Sequence, residues 1–477
     1  MQSQSSSRRE FLWRFGGGLG GVAMAHMLGL DGLLADASLK PNPELNGGVH
    51  HRAKVKRIVQ LFMNGGASQI DLFDYKPQLI KLNGQKFDPG GKVEASQSQP
   101  GNVMQSPFTF KQHGQSGRWV SSAFPHIATC VDDLAFLMAM SSRTNVHGPG
   151  VYLQTTGFLQ PGFPCMGAWI SYGLGSLNNN LPTFVVLPDS RGLPYNGKGS
   201  FTSGFLPVTH QGTILQASAK NPVEDLFPPA SAKFITKKGD ADGLALLNKL
   251  NREHAAENPG DSRLDARIAS YELAARMQLS APEVLDLSGE TEATKKSYGL
   301  DEKPTESFGR NCLTARRLLE RGVRFVQVWS GASGSVDNWD NHSDINKQLG
   351  DIARSTDKPA AALVNDLKAR GMFEDTLIIW TTEFGRMPFG QGSLGRDHNG
   401  GTFVNWLAGA GVKPGIAHGQ SDEWSWKAME GKVDGYDLHA TILHLLGIDH
   451  KKLTFRNNGS DRRLTDVHGH VIDAVLA

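Results

Sequence analysis

The sequence is short of the features that mark several broad protein classes. Cysteine is scarce. Cys130, Cys165 and Cys312 are the only three in 477 residues, which excludes a disulfide scaffold, and no two are spaced as a CxxC metal or redox pair. An excess of either charge is missing. Lys+Arg total 49 and Asp+Glu 47, a net +2 that excludes a nucleic-acid binder working through a basic field. A clean membrane span is missing too. The one long, mildly apolar stretch, Phe15 to Leu34, is broken by glycines and carries His26 and Asp31. What remains is an ordinary globular composition: 39 % hydrophobic, 20 % charged and 8 % aromatic, enough for a sizeable core and against wholesale disorder. Glycine is abundant at 55, which points to many loops and tight turns, and there are 16 histidines, several beside acidic residues.

The N-terminus reads as an address. Ser7-Arg8-Arg9-Glu10-Phe11-Leu12 has the twin-arginine pattern, the Gly-rich apolar stretch follows, and Ala35-Asp36-Ala37 supplies a small-x-small cleavage site. Residues 1–37 are therefore expected to be a twin-arginine signal peptide. The mature protein is expected in the periplasm or outside the cell, with the export machinery as a partner, no nucleic acid, and no transmembrane segment after signal removal. The twin-arginine route carries proteins that fold before translocation, often with a metal or cofactor already loaded.

The rest alternates. Arg57 to Met63, Leu134 to Met140, Thr183 to Leu187, Arg324 to Trp329 and Thr376 to Trp380 read as buried strands. Ser121 to Asp133, Arg263 to Leu279, Ser307 to Arg321, Lys358 to Arg370 and Asp437 to Leu446 read as helices, the last with a capping aspartate and Gly447 just past its end. The pattern predicts an α/β fold with a mostly parallel central sheet flanked by helices on both faces. Residues 38–477 are expected to form a single domain with loop insertions at about 82–117 and 188–243, the second lying beside the site.

In such sheets ligands bind at the carboxyl ends of the strands, and polar clusters stand at those places. They are Asn64-Gly-Gly-Ala-Ser-Gln-Ile-Asp71-Leu-Phe-Asp74, Ser141-Ser-Arg143-Thr-Asn-Val-His147, Trp339-Asp340-Asn-His342, Thr382-Glu383-Phe-Gly-Arg386 and Gly395-Arg396-Asp397-His398. Carboxylates and imidazoles without thiolates suit Zn, Mn, Fe, Ca or Mg rather than copper(I) or iron–sulfur. Asp340 and His342 can face one centre from a loop. Asp397 and His398 cannot face the same way on a strand, so one is expected to be a ligand and the other its supporting partner. Arg143, Arg386 and Arg396 are candidates for holding an oxyanion. Each cluster also has a plain structural reading: Asp71 and Asp74 as helix caps, His147 as a loop histidine, Asp340 to His342 as a turn.

These residues carry a resemblance. The chain is similar to the exported family called domain of unknown function fifteen-oh-one, a branch of the alkaline phosphatase/sulfatase superfamily. It is carried by Phe62 to Pro77, Trp339 to His342, Thr382 to Arg386, Gly395 to Asn399, Asp437 to Asp449 and Arg463 to Gly469. The stretch Val151 to Gly157 resembles the end of the sulfatase nucleophile helix. The resemblance implies one or two divalent ions, Zn, Mn, Ca or Mg, at the sheet's carboxyl rim. It implies hydrolysis or transfer of phosphate or sulfate esters, on a small anionic ester or a sulfated or phosphorylated polysaccharide. Its metal ligands would come from Asp71, Asp340, His342, Glu383, Asp397 and His398. The departures are specific. Asn64-Gly65 stands where sulfatases have paired aspartates, with Asp71 expected to supply the carboxylate. The formylglycine motif is missing, and His147 occupies the nucleophile's place. His147 is then expected to move a proton or complete the metal site, with Arg386 or Arg396 on the non-bridging oxygens. Two alternatives remain open: a non-catalytic, metal-containing binding protein for sulfated or phosphorylated glycans, and a mutase or phosphonate-cleaving enzyme.

Overall fold

The computed structural model describes residues 49–91, 93, 99–219, 222–223, 237–257, 268, 272–273, 276–277, 280–334, 337–392 and 394–477. The expected signal peptide, residues 1–37, and most of the helix expected over 263–279 lie outside the described residues. Among the described residues no helix is long and apolar enough to cross a membrane.

A nine-stranded sheet organises the chain. Its strands are β1 (Arg57–Met63), β2 (Leu134–Ser141), β3 (Phe184–Leu187), β4 (Thr213–Ile214), β5 (Phe325–Ser330), β6 (Thr376–Thr381), β9 (Phe403–Gly409), β10 (Ile416–His418) and β11 (Val433–Asp434). The order is β10-β2-β9-β6-β1-β5-β3-β4, with β11 pairing β2. Every pairing is parallel except those of β9, which runs antiparallel to both β2 and β6. The five strands expected from apolar runs are all present, each within a residue of its expected bounds, because strands buried on both faces spell continuous apolar sequence. Gln60 in β1 is a polar exception. Its amide oxygen accepts from Gln327 on β5 at 2.9 Å, which satisfies it inside the core.

Helices cover both faces. Val59, Leu61 and Met63 point from β1 into one core with residues of α4 (Glu306–Glu320) and α5 (Ile345–Ala369), such as Leu313, Leu319, Leu349 and Leu363. Ile58 and Phe62 point the opposite way, into a second core with α2 (His147–Thr156), α3 (Met166–Leu174) and α6 (Gly435–Leu445). The alternation follows from the period of two along a strand. The fold is therefore α/β with a mostly parallel sheet and helices on both sides.

Three local expectations are corrected. The stretch from Ser121 to Asp133 is not one helix. Arg118–Ser121 is a strand paired with Phe110–His113, and only Ile127–Asp133 coils, as a 3₁₀ helix. Pro125 interrupts the run, and the Asp357 carboxylate of α5 accepts from the main-chain N–H of His126 at 2.8 Å and of Ile127 at 2.7 Å. Helix α5 begins at Ile345, not Lys358, with Asp344 as its cap. Pro359 lies inside it, and the apolar stripe Leu349, Ile352, Thr356, Ala360, Leu363, Leu367 runs through unbroken, so packing outweighs the lost main-chain bond. The cap of α6 is Asp434, with Asp437 closing a reciprocal capping box, and Gly447 follows at φ +81°.

The site depends on close backbone approach at the rim. Gly65, at φ +127°, lies so near the β5 loop that a Cβ there would fall 2.5 Å from the Asp340 nitrogen and 2.8 Å from the Trp339 nitrogen. Gly395 is as tight, its added Cβ falling 1.8 Å from the His342 oxygen. Asn64 ties the same loops together: its amide donates to Gly331 O at 3.0 Å, and its main-chain oxygen accepts from Trp339 N at 3.2 Å. Gly65→Ala is expected to lower stability by about 1–3 kcal/mol, the range for a strained non-glycine backbone. Urea unfolding checks this; an unchanged midpoint would contradict the close approach.

Candidate metal centre

Four loops meet at the carboxyl rim. The segment after β2 leads into α2, whose first residue is His147. The segment after β5 carries Asp340 and His342. Glu383 follows β6 directly. His398 sits on β8 (Gly395–Asn399), which pairs antiparallel with β7 (Gly385–Gln391) and returns the chain to the sheet as β9. His147, Asp340, His342 and His398 each offer one ligand atom, and these atoms all lie within 4.8 Å of one another.

Each imidazole is oriented from behind. His398 Nδ1–H donates to the Asn145 main-chain oxygen at 2.7 Å. His342 Nδ1–H donates to the Gln391 side-chain oxygen. His147 Nδ1–H donates to Glu383 Oε1 at 2.8 Å. All three Nε2 atoms therefore face inward, onto Asp340. His342 Nε2 lies 2.6 Å and His398 Nε2 3.0 Å from Oδ1, and His147 Nε2 lies 3.1 Å from Oδ2. The last contact is out of line for a hydrogen bond, so His147 Nε2 is a buried nitrogen with no protein hydrogen-bond partner. Lone pairs thus converge on a carboxylate with few hydrogens between them. That arrangement is unfavourable unless a proton or a metal ion sits among them.

The electrostatics agree. Burial opposes the Asp340 charge, but the adjoining imidazoles of His147, His342 and His398 and the charge of Arg386 outweigh it and hold the carboxyl far below the usual range. Burial lowers His398, to about 4, with the positive charges of Arg386 and His147 assisting against Asp340, so this imidazole is neutral and its lone pair available. Burial also works against charge on His147, yet Asp340 and Glu383 together raise it above its ordinary value. The proton it attracts is the one a metal would displace. His398 is 2 % exposed, His147 11 %, Asp340 20 % and His342 24 %, so solvent reaches the group from the side of His342 and Asp340.

The other expected site residues lie outside this group. Asp71 is fully buried and bonded through both oxygens to Arg396, at 2.7 and 3.0 Å. Arg396 also donates to the main-chain oxygens of Met387 and Met104. The pair ties α1 (Gln69–Leu72) to β8 and lies outside the four-residue group. Arg386 is equally committed, its guanidinium bound to Asp340 Oδ1 at 2.7 Å and to main-chain oxygens around it. Glu383 stands behind His147 rather than in the group. Its Oε1 also accepts from Gly65 N at 2.8 Å. Asp397 accepts from the main-chain N–H of His398, which matches the strand alternation that separates the two side chains.

Two residues at the site were not expected. Tyr195, from the 188–243 insertion, stacks flat on His147 with centroids 4.3 Å apart, and its hydroxyl reaches 3.5 Å from Asp340 Oδ2. Burial and the nearby carboxylates raise its pKa, so it stays protonated. Phe384 packs against His147 and His398. Phe384 lies within the Thr382–Arg386 cluster; Tyr195 carries no local signal beyond the Asn196-Gly197 turn after it.

Asp71→Ala strands a buried guanidinium and is expected to cost about 3–5 kcal/mol in denaturant unfolding, while the folded fraction keeps its metal. Loss of metal from folded protein would return Asp71 to the ligand set. Glu383→Gln is expected to weaken metal affinity by about 10–100-fold without abolishing it, as for other supporting groups of a ligating histidine. Competition with a chromophoric chelator measures this.

The chain is similar in structure to several solved proteins at low identity. One is the lipoteichoic acid synthase LtaP from Listeria monocytogenes, at 10 % identity and TM-score 0.38, covering 89 % of this chain and 79 % of that one. Another is the PsFucS1 sulfatase from Pseudoalteromonas sp., at 13 % and 0.36, covering 86 % and 74 %. A third is the alkaline phosphatase from the Antarctic bacterium TAB5, at 11 % and 0.32, covering 76 % and 94 %. No curated protein matches the sequence. The family described as protein of unknown function DUF1501 matches residues 55–476, and the chain belongs to it.

Proposed function

We propose that the protein is an exported, metal-dependent hydrolase of phosphate or sulfate esters whose nucleophile departs from the usual one. The observation that carries the metal assignment is the convergence of three back-bonded imidazoles on Asp340. Outer N–H groups fixed on carboxylate or carbonyl acceptors are what ligating histidines need. The donor set of three nitrogens and one carboxylate favours zinc or manganese over calcium and magnesium, which take oxygen ligands. The ester class rests on the motif resemblance to the alkaline phosphatase/sulfatase superfamily.

His147, Asp340, His342 and His398 would hold a divalent ion, which would supply Lewis acidity toward an ester oxygen. The chain's own residues do the rest. Glu383 keeps His147 in the Nδ1–H form, with Nε2 turned inward. Arg386 anchors Asp340. Tyr195, protonated and at the open side of Asp340, offers a hydroxyl that can donate to a leaving-group oxygen. His147 stands in the nucleophile's place but serves the metal group, so water is the attacking species.

A specific observation favours the second reading, a non-catalytic binding protein for sulfated or phosphorylated glycans. His147, which stands in the nucleophile's place, is committed to Glu383 and to the metal group, so the usual nucleophile is lacking. Aryl phosphate mono- and diesters and aryl sulfates, assayed with zinc- and manganese-loaded protein, decide between the two. Turnover is expected, with at least a 10²-fold loss in His398→Ala together with loss of metal. A metal-replete protein inert to every ester supports the binding reading instead.

A further inference from the structure

The motif resemblance leaves open one ion or two. We propose that the centre holds one divalent ion, and that the Arg386 guanidinium is a built-in cation occupying the place where a second would sit. The inference rests on the metal-site reading above and concerns its stoichiometry.

The first observation is the cradle around Arg386. The side chain is fully buried, yet it is surrounded by oxygens. Nε donates to Gly66 O at 2.8 Å, Nη1 to Arg396 O at 3.1 Å, and Nη2 to Trp339 O at 3.1 Å, to Gly65 O, and to Asp340 Oδ1 at 2.7 Å. Main-chain carbonyls plus one carboxylate are the donors that a hard cation takes. Here the chain gathers them from the loops after β1 and β5 and from β8, and fills them with its own positive charge.

The second observation is that the cradle and the metal group share an oxygen. Asp340 Oδ1 is the acceptor for Arg386 and also the atom facing His342 and His398. Arg386 Nη1 comes within 3.4 Å of His342 Nε2. A second dication bridging Asp340 would have to share that space with a guanidinium that cannot lose its proton. The third observation is the fate of the other carboxylates. Asp71 is spent on Arg396, and Glu383 on His147 and Gly65. Neither is left to build a second ligand shell.

The test reads metal content, not activity. Full-length protein stripped with a chelator and titrated with Mn²⁺ is expected to bind one equivalent by elemental analysis and native mass spectrometry. Its paramagnetic resonance is expected to be the six-line spectrum of an isolated ion. Two equivalents with an exchange-coupled spectrum would overturn this inference and leave the metal-site reading intact. Zero equivalents would overturn both. Arg386→Met empties the cradle and is expected to admit a second, weaker equivalent; a folded variant that still binds only one removes Arg386 from the role. Should it not fold, Arg386→Lys keeps the charge and is expected to stay at one equivalent, so a second equivalent there overturns the inference.

Discussion

Asp340 places one negative charge between three imidazole nitrogens and a guanidinium, and much of the rim is built to keep it there. The carboxylate is partly desolvated, which by itself disfavours its charge. What reverses the balance is proximity: Arg386 at 2.7 Å and imidazole nitrogens from 2.6 to 3.1 Å. None of these partners is near Asp340 in the chain except His342. The arrangement therefore depends on the sheet, which brings the ends of β1, β2, β5 and β6 to one rim, where β8 also lies because the antiparallel β9 that follows it starts there.

Around this charge, polar side chains do the work that apolar packing does elsewhere. Asn64 bonds the β5 loop, Thr382 accepts from Ala67 N and donates to Met63 O, and Glu383 bonds both Gly65 and His147. Asp71 and Arg396 form a fully buried pair. Such a network is costly to build and more costly to break at one point, because each deletion strands a partner away from water. Glycine is needed where these loops press together. Gly65 and Gly395 leave no room for a Cβ, so their spacing to Asp340 and His342 is a property of main chain against main chain.

The chemistry follows from which groups remain uncommitted. Both buried arginines are consumed by the protein, so under the proposed function an anionic group would be met by the metal and by the partly exposed side where His342 and Asp340 lie. A neutral His398 and a proton-attracting His147 beside one carboxylate form a group that could hold a metal ion in place of a proton. Tyr195 closes one side of His147 by stacking and brings a protonated hydroxyl to the carboxylate. This set of groups suits hydrolysis by polarisation more than covalent attack by a side chain.

The strand positions and the rim clusters were legible in the sequence for a physical reason. A strand buried on both faces must be apolar throughout, and a polar cluster directly after it marks where the chain leaves the core. Asp340, His342, His398 and His147 could be picked out on that ground. Their mutual distances could not, and neither could the roles of their neighbours. Arg396 and Asp71 are 325 residues apart and look, one at a time, like an oxyanion holder and a metal ligand. Only tertiary packing shows that each consumes the other. The same holds for Glu383, which the sequence offers as a ligand and the fold sets behind His147, and for Tyr195, which an insertion delivers with no local pattern to announce it. Residue type and position along the chain determined which groups could bind a metal. Long-range pairing decided which of them have lone pairs left to do so, because a buried donor or acceptor is claimed by whatever partner the fold brings within reach.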